Sequence, residues 1–355
     1  MAHQDQSVMR PTIQDLALEL GVHKATVSRA LSGKPGVSDM VRRKVIETAQ
    51  TRGFFPHGLA RSLATSVTET IGLVCCDETS EFLTNPFYSQ VLAGIADETA
   101  RHGLSLAFCS HPLPRPGKRQ SIPKIMRERR ADGFLFVGDQ DDLLIRYAHH
   151  LGYPVVLVDH HLPTATFDTV VINNTGGAEL AVHFLADLGH QRIGFVGGSL
   201  QSPSFAERLE GYRRALAERA LPADPMLIQA GEDGSGYCNM LKLLAMPTPP
   251  TAVLACNDVH AAAALRAVRE AGRRVPDDIS VVGFDDSTRA TETWPPLTTL
   301  SVDAEEMGRA GVKRLVTRLR EPHVAPGRLV VHPRLTIRGS CSPRQTKLEL
   351  SVHSG

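Results

Sequence analysis

Thr12-Ile13-Gln14-Asp15-Leu16-Ala17-Leu18-Glu19-Leu20-Gly21-Val22-His23-Lys24-Ala25-Thr26-Val27-Ser28-Arg29-Ala30-Leu31 is the stretch from which the rest of the chain is read. Thr12 ahead of Ile13-Gln14-Asp15 has the form of an N-cap with an acid three residues on. Apolar residues at Ile13, Leu16, Ala17 and Leu20 then mark one face of a short helix. Gly21 breaks it, and a second helix is predicted from about His23 to Leu31 with Val22, Val27 and Ala30 inward. Two short helices joined by a tight Gly-containing turn make a helix-turn-helix unit. Ala17 permits close approach, Gly21 can take the left-handed turn, and Val27 fills the wedge between the helices.

Downstream, Ser38 caps a predicted third helix to about Gln50, with Val41, Val45, Ile46 and Ala49 inward. Its Arg42, Arg43 and Lys44 read as solvated or phosphate-facing. Residues 1–64 hold nine Lys/Arg against five Asp/Glu, a surplus of +4, whereas the other residues hold 30 against 33. A basic head on a mildly acidic body is the asymmetry expected when one end meets phosphate. The whole chain is 355 residues long with a formal charge of +1, too long for one ordinary domain.

From Thr70 onward short apolar runs alternate with helical patterns. Strands are predicted at Ile71–Cys76, Ser105–Cys109, Gly133–Val137, Val155–Asp159, Ile193–Val196, Ala252–Ala255 and Ile279–Phe284. Helices are predicted at Ser89–His102, Gly176–Leu188, Phe205–Arg219, Val259–Ala271 and Ala304–Arg320. Near-continuous apolar strands between helices indicate parallel sheets covered on both faces, and about 270 residues fit two sheets better than one.

The run from Thr12 to Ala64, with Thr26-Val27-Ser28-Arg29, Val37-Ser38 and Ala60-Arg61-Ser62-Leu63, resembles the headpiece and hinge of the lactose/galactose-repressor (LacI/GalR) family. Asn85-Pro86-Phe87-Tyr88, Gly189-His190, Asn257-Asp258, Val281-Val282-Gly283-Phe284-Asp285-Asp286 and Pro296-Leu297-Thr298-Thr299 extend the resemblance over nearly the whole chain. It implies a small all-α helix-turn-helix headpiece over 11–56 and a hinge over 57–66. A ligand-binding and dimerisation domain follows over 67–340, and a tail over 341–355. The ligand domain would be periplasmic-binding-protein-like, two doubly wound α/β subdomains with crossovers near His161, Ala290 and Glu321.

The same resemblance implies a sequence-specific transcriptional regulator, in most cases a repressor, controlled by a small-molecule effector. The positions matching its DNA contacts are Thr12, His23, Lys24, Ala25, Thr26, Ser28 and Arg29. Leu63 matches the hinge leucine that wedges into the minor groove. Arg29 can donate bidentately to guanine, and Ala25 offers only apolar contact. Gly58 departs from the pattern and lowers hinge-helix propensity by up to about 1 kcal/mol.

Effector residues can also be argued from chemistry, because open parallel sheets bind ligands at the carboxyl ends of strands. Asp159 and Asp285 end strands, Asn257 follows one, and Arg208 lies in the Phe205 helix. Carboxylates accept from hydroxyls while Arg and Asn donate, a set that suits vicinal hydroxyls. These four match the family's sugar-binding positions. Plain strand-end carboxylates, and an Arg208 that bridges Asp285 whatever the ligand, are the alternatives. Phe87 and Tyr88 match the cleft rim, as does His160, with Ser204 near the ligand. Ser202 stands where purine-binding relatives place an arginine, and the aromatic platform expected near Gly231 or Glu232 is missing. A sugar or polyol is the expected effector, another metabolite the alternative. The resemblance fits an inducer and a corepressor equally.

Enzyme motifs are missing: no Walker A, Gly-x-Ser-x-Gly, His-Glu-x-x-His or Gly-x-Gly-x-x-Gly occurs. No cofactor is implied, and no metal. The pairs His149-His150 and His160-His161 are adjacent residues that point to different sides of regular structure. The six cysteines show no Cys-x-x-Cys; Cys75, Cys76, Cys109, Cys238 and Cys256 read as buried thiols and Cys341 as exposed. Met1–Arg10 is polar and no run reaches the roughly 20 apolar residues of a membrane span, so a cytoplasmic location is expected. A solute-binding transport protein would need a secretory signal and would lack the head. The tail Ser342–Gly355 shows no heptad, so the expected state on a pseudo-palindromic operator is a homodimer.

Overall fold

The computed structural model describes residues 11–32, 34–54, 67–75, 81–111, 122–162, 167–231 and 235–344. They form two compact units divided between Glu69 and Thr70. The hinge with Leu63, Cys76, Glu232 and residues 345–355 lie outside the described residues.

The first unit has three helices, α1 (Ile13–Leu20), α2 (Lys24–Leu31) and α3 (Asp39–Thr51). Thr12 and Asp15 close a reciprocal capping box, Gly21 ends α1 at φ 62°, and Ser38 caps α3. Leu16, Ala17, Val27, Ala30, Val45, Ala49 and Phe54 form its core. Arg42 differs from its expected solvated state. Its guanidinium donates to the carbonyls of Ala30 (3.3 Å) and Lys34 (2.8 Å), which pins the end of α2 to α3.

The second unit holds two six-stranded sheets. The first contains β1 (Thr70–Cys75), β2 (Ser105–Ser110), β3 (Gly133–Val137), β4 (Val155–Val158), β5 (Asp168–Ile172) and β11 (Arg328–Val331). Its order is β11-β5-β4-β3-β1-β2, and every pairing is parallel. The second contains β6 (Ile193–Val196), β7 (Ile228–Gln229), β8 (Ala252–Ala255), β9 (Ser280–Asp285), β10 (Thr298–Ser301) and β12 (Arg334–Thr336). Its order is β12-β10-β9-β8-β6-β7, parallel except for the edge strand β12. Fully buried strands such as Gly133–Val137 explain the continuous apolar runs.

The helices of the second unit are α4 (Glu81–Thr84), α5 (Pro86–Arg101), α6 (Lys124–Arg127), α7 (Asp142–His150), α8 (Asn174–Asp187) and α9 (Pro203–Glu218). They continue with α10 (Gly236–Leu244), α11 (Asp258–Glu270), α12 (Thr288–Glu292) and α13 (Ala304–Arg320). Several start earlier than the sequence predicts because caps move the boundary. Asn85 caps α5 ahead of Pro86, and Asn257 caps α11.

All three crossovers lie later than His161, Ala290 and Glu321. The chain leaves the first sheet after Ile172, returns to it between Ser301 and Ala304, and passes back between Val331 and Arg334. In each case one more short strand (β5, β10 or β11) joins a sheet before the chain departs. These strands carry Asp, Thr, Ser or Arg and give weak apolar signals. The first and third crossovers are joined, the Asn173 N–H donating to the Val331 carbonyl at 2.8 Å. Residues 341–344 belong to the second unit and not to a tail. Cys341 Sγ donates to the Val281 carbonyl, the Ser342 N–H to Ser280 Oγ (3.2 Å) and the Arg344 N–H to the Leu188 carbonyl (2.9 Å). Burial pushes the Cys341 thiol up to about 11. Cys238 is exposed, against expectation; Cys75 and Cys256 are buried.

Helices α5 and α13 meet backbone to backbone. A Cβ on Gly94 would lie 1.9 Å from the Glu305 carbonyl oxygen, and one on Gly308 would lie 2.1 Å from that of Val91. Replacing a helical glycine by alanine ordinarily gains about 1 kcal/mol in propensity, whereas overpacking costs about 1–3 kcal/mol. Here the obstacle is backbone, which cannot rotate away, so the cost wins. Gly94→Ala is expected to lower the denaturant midpoint of the second unit; an unchanged or raised midpoint would show that the helices can separate at no cost.

Candidate functional site

On the first unit, burial sorts the residues of α2. Val27 and Ala30 point into the core, which leaves His23, Lys24, Ala25, Ser28 and Arg29 exposed and Thr26 half-buried. Lys24 and Ser28, like Ala25 and Arg29, are four apart, so they share one solvent face. Thr12 is exposed at the N-terminus of α1, but its hydroxyl and N–H are engaged with Asp15 at 2.8 and 2.7 Å. That engagement holds the Asp15 carboxyl below its ordinary value.

On the second unit, the carboxyl ends of the strands bring Asp159, Arg208 and Asp285 together. Tyr88 Oη donates to Asp159 Oδ2 at 2.9 Å, and Ser204 Oγ donates to Asp159 Oδ1 at 3.2 Å. Ser202 Oγ donates to Asp139 Oδ1 at 3.2 Å. The serines belong to the subdomain of the second sheet and both aspartates to that of the first. These two bonds therefore clasp the subdomains across the cleft.

Arg208 is 3% exposed and is held from several sides. Its Nε donates to Asn174 Oδ1 (2.8 Å), and Nη1 donates to the Cys256 carbonyl and lies 3.4 Å from Asp285 Oδ1. The Phe284 ring packs 3.7 Å from its guanidinium carbon. Asn257 presents its oxygen to the N–H (2.9 Å) and Nδ1 (2.7 Å) of His260, which leaves its amide –NH2 as the group able to donate. Asp159 and Asp285 both have positive φ, 55° and 112°, in the strained region seen most often at binding sites.

Phe87 is not on the rim. It is buried in the core with its ring edge-on to Tyr88 at 5.2 Å, so it supports Tyr88 from behind. His160 is buried beside Asp159 and contacts Asp142 at 3.3 Å. Trp294 is 85% exposed and takes no part. The sequence reading missed Asp139, Asn174, Phe205 and His260. Asp139 follows Val137-Gly138 at the end of β3, so the strand-end rule that found Asp159 and Asp285 would also have found it. Among the described residues no His/Cys/Asp/Glu group could hold a metal ion. No described helix is long and apolar enough to cross a membrane.

A model of "Bacterial regulatory proteins, lacI family" matches residues 12–57, and one of a "Periplasmic binding protein-like domain" matches residues 182–341. The HTH-type transcriptional regulator CelR of Thermobifida fusca is 33% identical over 337 residues, 93% of this chain and 98% of its own length. The chain belongs to the lacI family of bacterial regulatory proteins. It is a DNA-binding transcriptional regulator under small-molecule control, and not an enzyme. Among solved structures it resembles a CelR–cellobiose complex, with 32% identity, TM-score 0.68, and 93% and 100% of the two chains covered. It also resembles the lac repressor dimer bound to operator and the anti-inducer ONPF, with 27% identity, TM-score 0.80, and coverage of 94% and 99%.

The cleft of this lacI-family chain carries an electrostatic cost. Burial raises the Asp159 carboxyl to about 6, against the opposing pull of Arg208 and Tyr88. Burial likewise raises Asp285 well above the ordinary range and Asp139 to a lesser degree. A carboxyl raised on folding binds protons more tightly in the native state, so its contribution to stability is lost as pH climbs from about 4 through about 6. Asp159→Asn is expected to flatten that loss, giving a melting temperature at pH 7.5 equal to or above the parent's. A drop of several degrees there, measured by circular dichroism without ligand, would mean that the carboxylate is stabilised.

Proposed function

We propose that this chain is a cytoplasmic repressor that binds a pseudo-palindromic operator as a homodimer and responds to a sugar or polyol. Its domains are read as a headpiece over 11–56, a hinge over 57–66 and a ligand domain from 67 through at least 344. In this reading α2 enters the major groove, where Lys24 and Arg29 read bases, Ala25 meets an apolar base edge, and His23, Thr26 and Ser28 contact bases or backbone. Thr12 contacts phosphate from the α1 terminus, and Leu63 wedges into the minor groove at the dyad. The observation that carries the effector half is the meeting of Asp159, Arg208 and Asp285 at one cleft, with Asn257 beside them. Acceptors and donors alternate there as adjacent hydroxyls require. Tyr88 and Ser204 tune Asp159 directly. A ligand that displaces the Ser204–Asp159 and Ser202–Asp139 bonds changes the balance between open and closed subdomains, and that difference is the coupling free energy.

Arg29→Ala is expected to weaken operator binding by about 1–3 kcal/mol and relax base preference at one position per half-site, checked by selection from a randomised operator library. An unchanged consensus would remove Arg29 as a base reader. For the cleft, saturating ligand at about 100 times Kd adds about 2.7 kcal/mol of stability, readable as a thermal shift across a panel of sugars, polyols and nucleosides. Asp285→Ala is expected to lose that shift while keeping operator affinity, since the first unit has its own core. A retained shift would place the effector elsewhere, and a shift with nucleosides alone would replace the sugar reading.

A further inference from the structure

In the second sheet the chain steps from β6 outward to β7 and then back across to β8, so the carboxyl ends of β6 and β8 mark a topological switch point. Helices that follow such strands diverge to opposite faces and leave a crevice for ligand. Here α9 follows β6 and α11 follows β8. The third residue of α9 is Phe205 and the third of α11 is His260. Their rings meet across the crevice, centroids 5.8 Å apart and planes at 81°, and both side chains are half-buried. The floor beneath them is bare backbone. A Cβ on Gly198, two residues past β6, would lie 3.0 Å from the Phe205 ring and 3.1 Å from His260 Nε2.

The polarity of this shelf is set by its neighbours. Asn257 Oδ1 can only accept, so His260 Nδ1, 2.7 Å away, carries the proton and Nε2 is left with a lone pair. Burial, helped by the charge of Arg208, pushes the His260 imidazolium down to about 4, so the ring is neutral at physiological pH. The crevice therefore offers a phenyl ring and a neutral imidazole with one acceptor beside the –NH2 of Asn257 and the Arg208–Asp285 pair.

We propose that Phe205 and His260 are specificity-determining residues that select a closed sugar ring over an open-chain polyol, Phe205 packing on the ring's C–H face and His260 Nε2 accepting from a ring hydroxyl. The inference rests on the cleft reading above and narrows it. An open chain has no flat C–H face to cover an aromatic ring, so it forfeits the stacking contact and must also order several torsions to bind.

The test pairs each ring sugar with its alditol: glucose with glucitol, ribose with ribitol, xylose with xylitol. Binding to the full chain is followed by thermal shift and calorimetry. At least one ring sugar is expected to bind tenfold or more tightly than its alditol. Phe205→Ala and His260→Phe are each expected to weaken that sugar about tenfold, while His260→Gln, which keeps an acceptor, recovers part of the loss. The ligand-free melting transition of the second unit, followed by circular dichroism, reports that each variant is folded, and Asp285→Ala serves as the control that abolishes binding altogether. Alditols that bind as well as their rings, or Phe205 and His260 variants with parental affinity beside a dead Asp285→Ala, would overturn the shelf and leave the sugar reading standing. No response to any member of the three pairs would overturn both.

Discussion

The guanidinium of Arg208 is the point on which the cleft is built. A buried cation is tolerated only where acceptors surround it, because removing its water costs several kcal/mol. Arg208 finds them at Asn174 next to the first crossover, at the Cys256 carbonyl past the end of β8, and at Asp285 ending β9, with the Phe284 ring against its face. Three segments distant in sequence are thereby fixed to one another. Asn257 follows Cys256 directly, and His260 is placed by Asn257. Ser204 and Phe205 precede Arg208 by one turn or less of the same helix, so the rest of the wall inherits its geometry from the same charge.

The opposite wall carries carboxylates held by neutral donors, with the Arg208 charge reaching Asp159 from across the cleft. Asp139 and Asp159 are held by hydroxyls of Ser202, Ser204 and Tyr88, which are neutral donors. Burial raises both carboxyls, as it raises Asp285 on the facing wall in spite of the guanidinium beside it. Carboxyls on both walls are under-compensated, so each gains from new hydrogen-bond donors. A ligand rich in hydroxyls supplies them.

Much of this architecture was legible in the sequence because it follows from local rules. The Thr12 capping box, the Gly21 turn and the inward Val27 set which side of α2 faces solvent, and three strands, Gly133–Val137, Ile193–Val196 and Ala252–Ala255, have the limits their apolar runs imply. Asp159, Arg208, Asn257 and Asp285 are strand-end or helix-start residues, placed by the connectivity of any open parallel sheet. What could not be read were long-range facts. The crossovers were misplaced because β5, β10 and β11 are short and partly polar, and become strands only through neighbours already in the sheet. Arg42 looks like any basic residue on a helix until the carbonyls it reaches are known. Phe205 and His260 are 55 residues apart, and their meeting depends on the switch between β6 and β8.

The two subdomains are discontinuous in the chain, since the sheet begun by Thr70 is finished only by Val331 and is backed by α13. This ordering has a consequence for synthesis. The first unit is contiguous and can assemble as soon as it leaves the ribosome, whereas the first sheet must wait with an open edge until nearly the whole polypeptide has emerged. At about 5–20 residues per second that wait lasts on the order of ten to fifty seconds. During it the apolar strands β3 and β4 lack the helix that will cover them, and a folded headpiece exists before the sensor that governs it.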